Sequence, residues 1–136
     1  MTGHLVGFTE IDELGLEGIE LAYNHWLAGV AGSKRVLKDR HGRAVENVAS
    51  IKPPQHGKDM RTRIALRLQY LAYRTLKGAV RKHKAESGSI VILDVTTGEV
   101  LAMVNQPSYN PNDRSQLVPD RYRNRAIADI FEPGSC

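Results

Sequence analysis

Cysteine is almost absent from this sequence: the single one is Cys136, the last of 136 residues. A disulfide needs two cysteines and a cysteine-rich zinc site needs several, so the sequence excludes both. The cysteine count does not indicate a compartment, because a chain without cysteine pairs folds equally well in the cytosol or the periplasm.

Long apolar runs are also missing. No stretch approaches the roughly 20 apolar residues that span a bilayer, and the N-terminus lacks a basic segment followed by an apolar core. We therefore expect the chain as given to carry neither a membrane anchor nor a signal peptide. With 41% hydrophobic and 25% charged residues, the composition is that of one soluble domain. It excludes collagen, coiled coils and wholesale disorder.

Motifs that bind metals, phosphates or dinucleotides are not found. No glycine-rich phosphate loop with a following Lys-Ser/Thr is present, nor a strand-linked dinucleotide fingerprint. The five histidines share no ligand spacing on one helix, and no carboxylate-rich cluster accompanies them; they are His4, His25, His41, His56 and His83. We therefore expect no cofactor and no metal ion.

The net charge of +4 is small, but the positive charge is concentrated in one predicted helix. From Ile64 the apolar residues recur at helical spacing over almost five turns, and no acid occurs between Asp59 and Glu86. The apolar positions after Ile64 are Leu68, Leu71, Ala72, Leu76, Ala79 and Val80. The basic side is either the solvated face of an ordinary amphipathic helix, which we favour, or a surface for nucleic acid or a membrane.

The first part of the chain contains a second helical pattern and a predicted hairpin. Five apolar residues at helical spacing predict a helix that ends at Gly29, with Tyr23 and Trp26 in the core. The five residues are Ile19, Ala22, Tyr23, Trp26 and Leu27. Residues 34–48 are predicted to form a β-hairpin with His41 and Gly42 in its turn. The proline-rich and glycine-containing residues 52–57 then mark a candidate domain boundary.

Two further apolar runs predict an antiparallel hairpin. Residues 89–95 (SIVILDV) and 99–104 (EVLAMV) are separated by a short glycine-containing spacer. Because both runs are continuously apolar rather than alternating, we expect both faces of this hairpin to be covered in a larger sheet. The other strands of that sheet are not recognisable in this sequence. We therefore expect the isolated chain to oligomerise, to swap strands or to aggregate through a free edge. Residues 105–125 read as a long irregular connection.

These segments resemble the class B penicillin-binding proteins, and most closely their septal, cell-division type from Gram-negative bacteria. Residues 64–135 resemble the start of the transpeptidase domain, and residues 5–48 resemble the end of the preceding pedestal. The motifs that carry the resemblance are RLQYL (67–71), AESGS (85–89), DVTTGEVLAM (94–103), QPSYNPN (106–112), NRA (124–126) and FEPGS (131–135). In the pedestal part they are LVGFT (5–9), GIE (18–20) and KDRHGR (38–43).

The resemblance implies an α+β fold in two parts. Residues 1–57 form the C-terminal part of a mostly β, non-catalytic pedestal of the dimerisation type. Residues 58–136 form the first helix and β-hairpin of a penicillin-binding transpeptidase domain, which is incomplete. It also implies a location at the periplasmic face of the inner membrane, with the anchor helix outside this chain. The implied activity is cross-linking of septal peptidoglycan stem peptides, with acylation by β-lactams.

Ser135 stands where the family carries its acyl-ester nucleophile. That chemistry needs a lysine three residues later as a base, and the family's Ser-x-Asn and Lys-Thr-Gly motifs; none of them is in this sequence. Cys136 replaces the usual threonine, and Ala65 stands where an aspartate is usual. Because general-base help is typically worth about 10²–10⁴ in rate, we expect this chain by itself to be inactive.

Two other functions stay open. One, suggested by the resemblance, is a non-catalytic interaction or scaffold module of the division machinery, in which residues 5–84 dock division partners or an acidic polymer. The other is an unrelated basic nucleic-acid-binding domain. The first would fold as a cooperative unit as given, and the second would bind DNA with strong salt dependence. The transpeptidase interpretation instead expects peptidoglycan stem peptides, β-lactams and membrane proteins of the division machinery as partners, and no nucleic acid. It leaves self-association of the fragment open.

Overall fold

A computed structural model describes residues 1–38, 41, 44–113, 115, 117–132 and 134. The helices are α1 (Gly3–Val6), α2 (Gly18–Ala22), α3 (Asn24–Leu27), α4 (Leu66–His83), α5 (Pro119–Tyr122) and α6 (Arg125–Ala128). The strands are β1 (Ser33–Lys38), β2 (Ala44–Lys52), β3 (Gly88–Leu93) and β4 (Val100–Gln106). This mixture of helices and antiparallel strands confirms the predicted α+β class. No helix within the described ranges is long and apolar enough to span a bilayer.

The chain forms two compact units. The larger unit consists of Met1–Ala22 together with Arg61–Cys136, and the smaller unit is Tyr23–Met60. The first residues of the chain therefore pack with its second half rather than with the residues that directly follow them. The division into domains at residues 1–57 and 58–136 stays a prediction, since compactness alone does not establish domain membership.

The smaller unit is built around the predicted hairpin. Strands β1 and β2 pair antiparallel, with three register irregularities along the ladder. An isolated bridge between Val30 and Gln55 continues the pairing beyond the strand ends, because the Val30 and Gln55 backbone amides each donate to the other residue's carbonyl. The predicted turn is only partly observable, since Gly42 lies outside the described residues.

The helix expected from Ile19 to Leu27 is wrong as one element. The chain turns at Tyr23, which separates α2 from α3. Tyr23 and Trp26 are 48% and 42% exposed, so the expectation that they lie in the core is also wrong. Trp26 is held at the surface instead: its Nε1 donates to the Asp59 carbonyl at 3.3 Å, and Lys58 Nζ lies 4.2 Å from its ring centroid.

The core of the larger unit lies between α4 and the β3–β4 hairpin. Ala72 and Leu76 of α4 pack on Val104 of β4, and Ile90 and Ile92 of β3 adjoin them. The predicted basic helix is confirmed. It begins at Leu66 and ends where Lys84 adopts a left-handed conformation with φ of 52°, which lets its backbone N–H cap the last carbonyls.

The inward face of α4 differs from the predicted apolar stripe at two points. Leu71 was expected in the core, yet it is 61% exposed, and Ala79 also faces solvent. Gln69 takes a central position instead and is fully buried. Its Nε2 donates to the Met103 carbonyl at 2.7 Å, and its Oε1 accepts from the Met103 N–H at 2.9 Å. A side-chain amide thus replaces a neighbouring strand at this point.

The expected hairpin of residues 89–104 is confirmed, with β3 and β4 antiparallel and in the register that pairs Val91 with Met103. The expectation that both faces are covered holds for the end of β4, where residues 102–106 are buried. The expectation is wrong for β3, because its residues alternate between half-buried and exposed positions, and Val91 and Leu93 are exposed. The outer edge of β4 is covered by Gln69 and by the Ala65 N–H, which donates to the Leu101 carbonyl at 2.8 Å.

Candidate functional site

The residue predicted as nucleophile, Ser135, lies outside the described residues. The described segment that precedes Ser135 comprises Asn124, helix α6 and residues 129–132. These residues lie in the larger unit, against the β3–β4 hairpin. Their contacts show how the fold places the chain a few residues before Ser135.

Asn105 fastens this segment to the sheet. It lies near the end of β4, is 1% exposed, and uses both ends of its amide. Its Oδ1 accepts from the Ser89 hydroxyl at 2.6 Å and from the Ala126 backbone N–H at 2.9 Å. Its Nδ2 donates to Asn124 Oδ1 at 2.8 Å. One buried side chain therefore joins β3, β4 and the start of α6.

Asn124 carries the connection further. Its Nδ2 donates to the His4 carbonyl at 3.3 Å and approaches Met103 Sδ at 3.4 Å. Its backbone carbonyl accepts from the N–H groups of Ile127 and Ala128, which makes it the residue that begins α6. The start of α6 is thus bonded both to the sheet and to α1.

Asp129 closes the other end of α6. Its Oδ2 lies 2.8 Å from Arg125 Nη1, and its Oδ1 lies 2.9 Å from Arg123 Nε. Arg125 also donates from Nη2 to the Asp120 carbonyl at 3.0 Å. Partly buried pairs with guanidinium groups hold geometry better than exposed ones. The carboxylate therefore holds the chain on both sides of this short helix.

His4 and Tyr109 attach the first residues of the chain to the same region. His4 Nε2 donates to the Arg121 carbonyl at 2.7 Å, and its ring meets Tyr109 edge-on with centroids 5.0 Å apart. Burial lowers the pKa of His4 below its usual value, although the Arg121 carbonyl opposes this by favouring the protonated form. Tyr109 donates its hydroxyl proton to the Gly3 carbonyl at 2.9 Å, and burial, followed by the charge of Glu17, raises its pKa to about 12.

Beyond Asp129 the described side chains turn outward. Ile130 and Phe131 are both largely exposed, as is Ile127 within α6. The contacts just described therefore fix the backbone as far as Asp129.

This arrangement positions the chain and supplies no reacting group. Ser89 is the hydroxyl at its centre, but its proton is donated to the Asn105 amide oxygen rather than to a base. Within the described ranges, no three His, Cys, Asp or Glu side chains lie together as a metal site would require.

The sequence analysis gave no role to Asn105 or His4. Gln69 and Asn124 stood in the motifs RLQYL and NRA, also without a role. The signal in the sequence was a polar residue within an apolar pattern. Asn105 directly follows the apolar run LAMV, and Gln69 interrupts the apolar side of α4. A polar residue inside a buried run must find partners, so such positions predict buried networks.

Two family models match the chain. The penicillin-binding protein dimerisation domain matches residues 3–62, and the penicillin-binding protein transpeptidase domain matches residues 88–136.

Relatives with curated names agree with these models. The peptidoglycan D,D-transpeptidase FtsI of Escherichia coli is 50% identical over 135 residues, which are 99% of this chain and 23% of that protein. The probable peptidoglycan D,D-transpeptidase PenA of Neisseria gonorrhoeae is 45% identical over 134 residues, which are 97% of this chain and 23% of that protein. The chain thus spans about a quarter of the length of the relatives it matches.

Solved structures show the same fold. Penicillin-binding protein 3 of Mycobacterium tuberculosis superposes with a TM-score of 0.76 at 30% identity, covering 98% of this chain and 27% of that one. A peptidoglycan synthetase of Bifidobacterium adolescentis gives 0.74 at 25% identity, covering 98% and 25%. The resemblance that the motifs indicated is confirmed, and the chain belongs to the class B penicillin-binding proteins.

Proposed function

We propose that these residues form part of a serine-type peptidoglycan D,D-transpeptidase of cell division, with Ser135 as the residue that becomes acylated. The names of the relatives support this activity, and they do not favour a scaffold module or a nucleic-acid-binding domain. The structural observation that supports the proposal is the Asn105 network, because it bonds the start of α6, which precedes the nucleophile position in the chain, to the β3–β4 hairpin.

In the proposed reaction, Ser135 Oγ attacks the penultimate D-alanine carbonyl of a stem peptide. The bond from oxygen to carbon forms, the bond from carbon to the terminal D-alanine nitrogen breaks, and the hydroxyl proton ends on the departing amine. An amine of a second stem peptide then takes the acyl group and restores the hydroxyl. A β-lactam acylates the serine in the same way as the stem peptide does. Its opened ring stays attached to the leaving nitrogen and blocks the transfer of the acyl group to the second stem peptide.

The base for this reaction is not among these 136 residues, since the sequence carries no lysine three positions after Ser135. The role of the described part is geometric: a nucleophile must sit within about 3–3.5 Å of its target carbonyl, and small misplacements are costly in rate. We place this work at the periplasmic face of the inner membrane. By themselves, the 136 residues should not react with a β-lactam.

A chimera tests the proposal. Residues 1–135 replace the aligned segment of the Escherichia coli relative, whose own residues resume after Ser135. We expect a labelled penicillin to attach once per molecule. Ser135→Ala should abolish labelling, whereas Ser115→Ala, at an exposed serine, should leave it unchanged. A chimera that melts as cooperatively as the parent enzyme yet takes no label would contradict the assignment.

A further inference from the structure

The outward face of α4 carries a row of arginines without acidic neighbours. Arg67, Arg74 and Arg81 are exposed and seven residues apart. The ion pairs seen among the described residues involve Arg63, Arg123 and Arg125 instead. None of the three arginines of this row takes part in those pairs, so their charge is not neutralised within the described residues.

Helix geometry places the three guanidinium groups in one line. A helix rises about 1.5 Å and turns about 100° per residue, so residues seven apart lie about 10.5 Å apart and within about 20° of each other. The row is about 21 Å long and points away from Ala72 and Leu76, which face the core. A second helix lying alongside presents its own side chains at this same seven-residue interval.

Gly78 lies in the middle of the row, between Arg74 and Arg81. Glycine is less favourable than alanine inside a helix. A Cβ added at Gly78 would meet nothing within 4 Å, so no contact inside the chain explains it. Gly88 is the contrast, because a Cβ there would lie 3.0 Å from Leu76 Cδ1. A glycine on an open face lets another backbone approach closely.

We propose that this face, defined by Arg67, Leu71, Arg74, Gly78 and Arg81, docks an acidic α-helical segment of a partner protein. Carboxylates at seven-residue intervals would meet the three arginines, and the partner's backbone would come closest at Gly78. Exposed Leu71 adds apolar contact beside the row. A lipid surface fits less well, because interfacial helices insert their apolar face and that of α4 is already buried against β4.

The test measures binding of the 136-residue chain to two synthetic helical peptides. In the matched peptide three glutamates are seven residues apart with alanines between them on that face. In the control peptide the same residues are distributed around the helix. We expect the matched peptide to bind at least tenfold more tightly at low salt, with affinity falling as salt rises.

Variants separate docking from general attraction and from misfolding. Arg74→Glu should weaken binding of the matched peptide at least tenfold, while Lys34→Glu, the same charge change on β1, should leave it within twofold. Gly78→Leu should weaken binding at least tenfold with the melting temperature of the chain preserved, and Gly78→Ala should weaken it less.

Three outcomes overturn the proposal. The first is equal binding of the two peptides or no binding of either. The second is matched-peptide binding that Arg74→Glu or Gly78→Leu leaves intact. The third is tighter binding to anionic phosphatidylglycerol vesicles or to duplex DNA than to the matched peptide, with the same sensitivity to Arg74→Glu.

Discussion

At the scale of single residues, the larger unit contains two buried amides that are hydrogen-bonded at both polar ends. Asn105 and Gln69 each use their oxygen and their nitrogen to bond other groups of the unit. Such side chains contribute modestly when satisfied, but their removal leaves partners buried and unpaired, which is more costly.

Asn105→Ala should lower the free energy of unfolding by about 1–3 kcal/mol, since the partly buried Ala126 N–H and Asn124 amide would each lose a partner. Urea denaturation of the chain measures the change. Asn110→Ala serves as the matched control, because that exposed amide only bonds the backbone of its own turn. Equal midpoints for the two variants would show that the buried network contributes nothing.

His4 should make stability depend on pH. Its folded pKa is lowered, mainly by burial, so the unfolded chain binds the proton more readily than the folded one. The stabilising contribution is complete above the unfolded pKa of about 6.5 and is lost as the pH falls from there through the folded pKa. Thermal melts between pH 7.5 and 5 should show a steeper fall for the wild type than for His4→Gln. Parallel curves would contradict this origin.

At the scale of elements, the sequence predicted α4 because its apolar period continues over almost five turns. It predicted the β1–β2 and β3–β4 hairpins because each has two strand-length segments joined by a short glycine-containing turn. The pattern from Ile19 to Leu27 is much shorter, since its five apolar residues span only about two and a half turns, and the chain turns at Tyr23 instead of continuing as one helix. The motifs predicted that Ser135 occupies the nucleophile position of a known family. They could not predict that Asn105 and His4 are buried, because that burial depends on contacts between residues far apart in sequence.

Two glycines of the larger unit should respond oppositely to alanine. Gly78→Ala should stabilise the chain by about 0.5–1 kcal/mol, because the helix gains propensity and the methyl group meets no atom. Gly88→Ala should destabilise it, since the methyl group would lie 3.0 Å from Leu76 Cδ1 and 3.2 Å from Val80 Cγ2. Chemical denaturation of both variants measures the pair. Stabilisation by both would mean that α4 and β3 pack less tightly than described.

At the scale of the whole molecule, the exposed face of β3 is the feature that governs association. Val91 and Leu93 face outward on a strand that, among the described residues, pairs with β4 alone. Exposed apolar side chains beside an unpaired strand edge favour contacts between chains.

We therefore expect the isolated chain to self-associate at micromolar to millimolar concentrations, with sedimentation velocity showing species above 15.1 kDa. The double variant Val91→Thr with Leu93→Thr should shift the distribution toward monomer. Val118→Thr, at another exposed valine, should leave it unchanged. A wild-type chain that sediments as a monomer throughout would contradict the expectation.

The packing of α1 has a practical consequence for expressing the part that matches the transpeptidase domain by itself. The match to the dimerisation domain ends at residue 62, so a shortened gene would most simply begin after that residue. Such a boundary would discard Gly3 and His4, which bond Tyr109 and Asn124. The truncated product would carry an uncovered phenol and a loosened Asn124 beside α6. A product that keeps residues 3 and 4 retains that cover, because the stability of the segment around Tyr109 and Asn124 depends on residues more than 100 positions earlier in the chain.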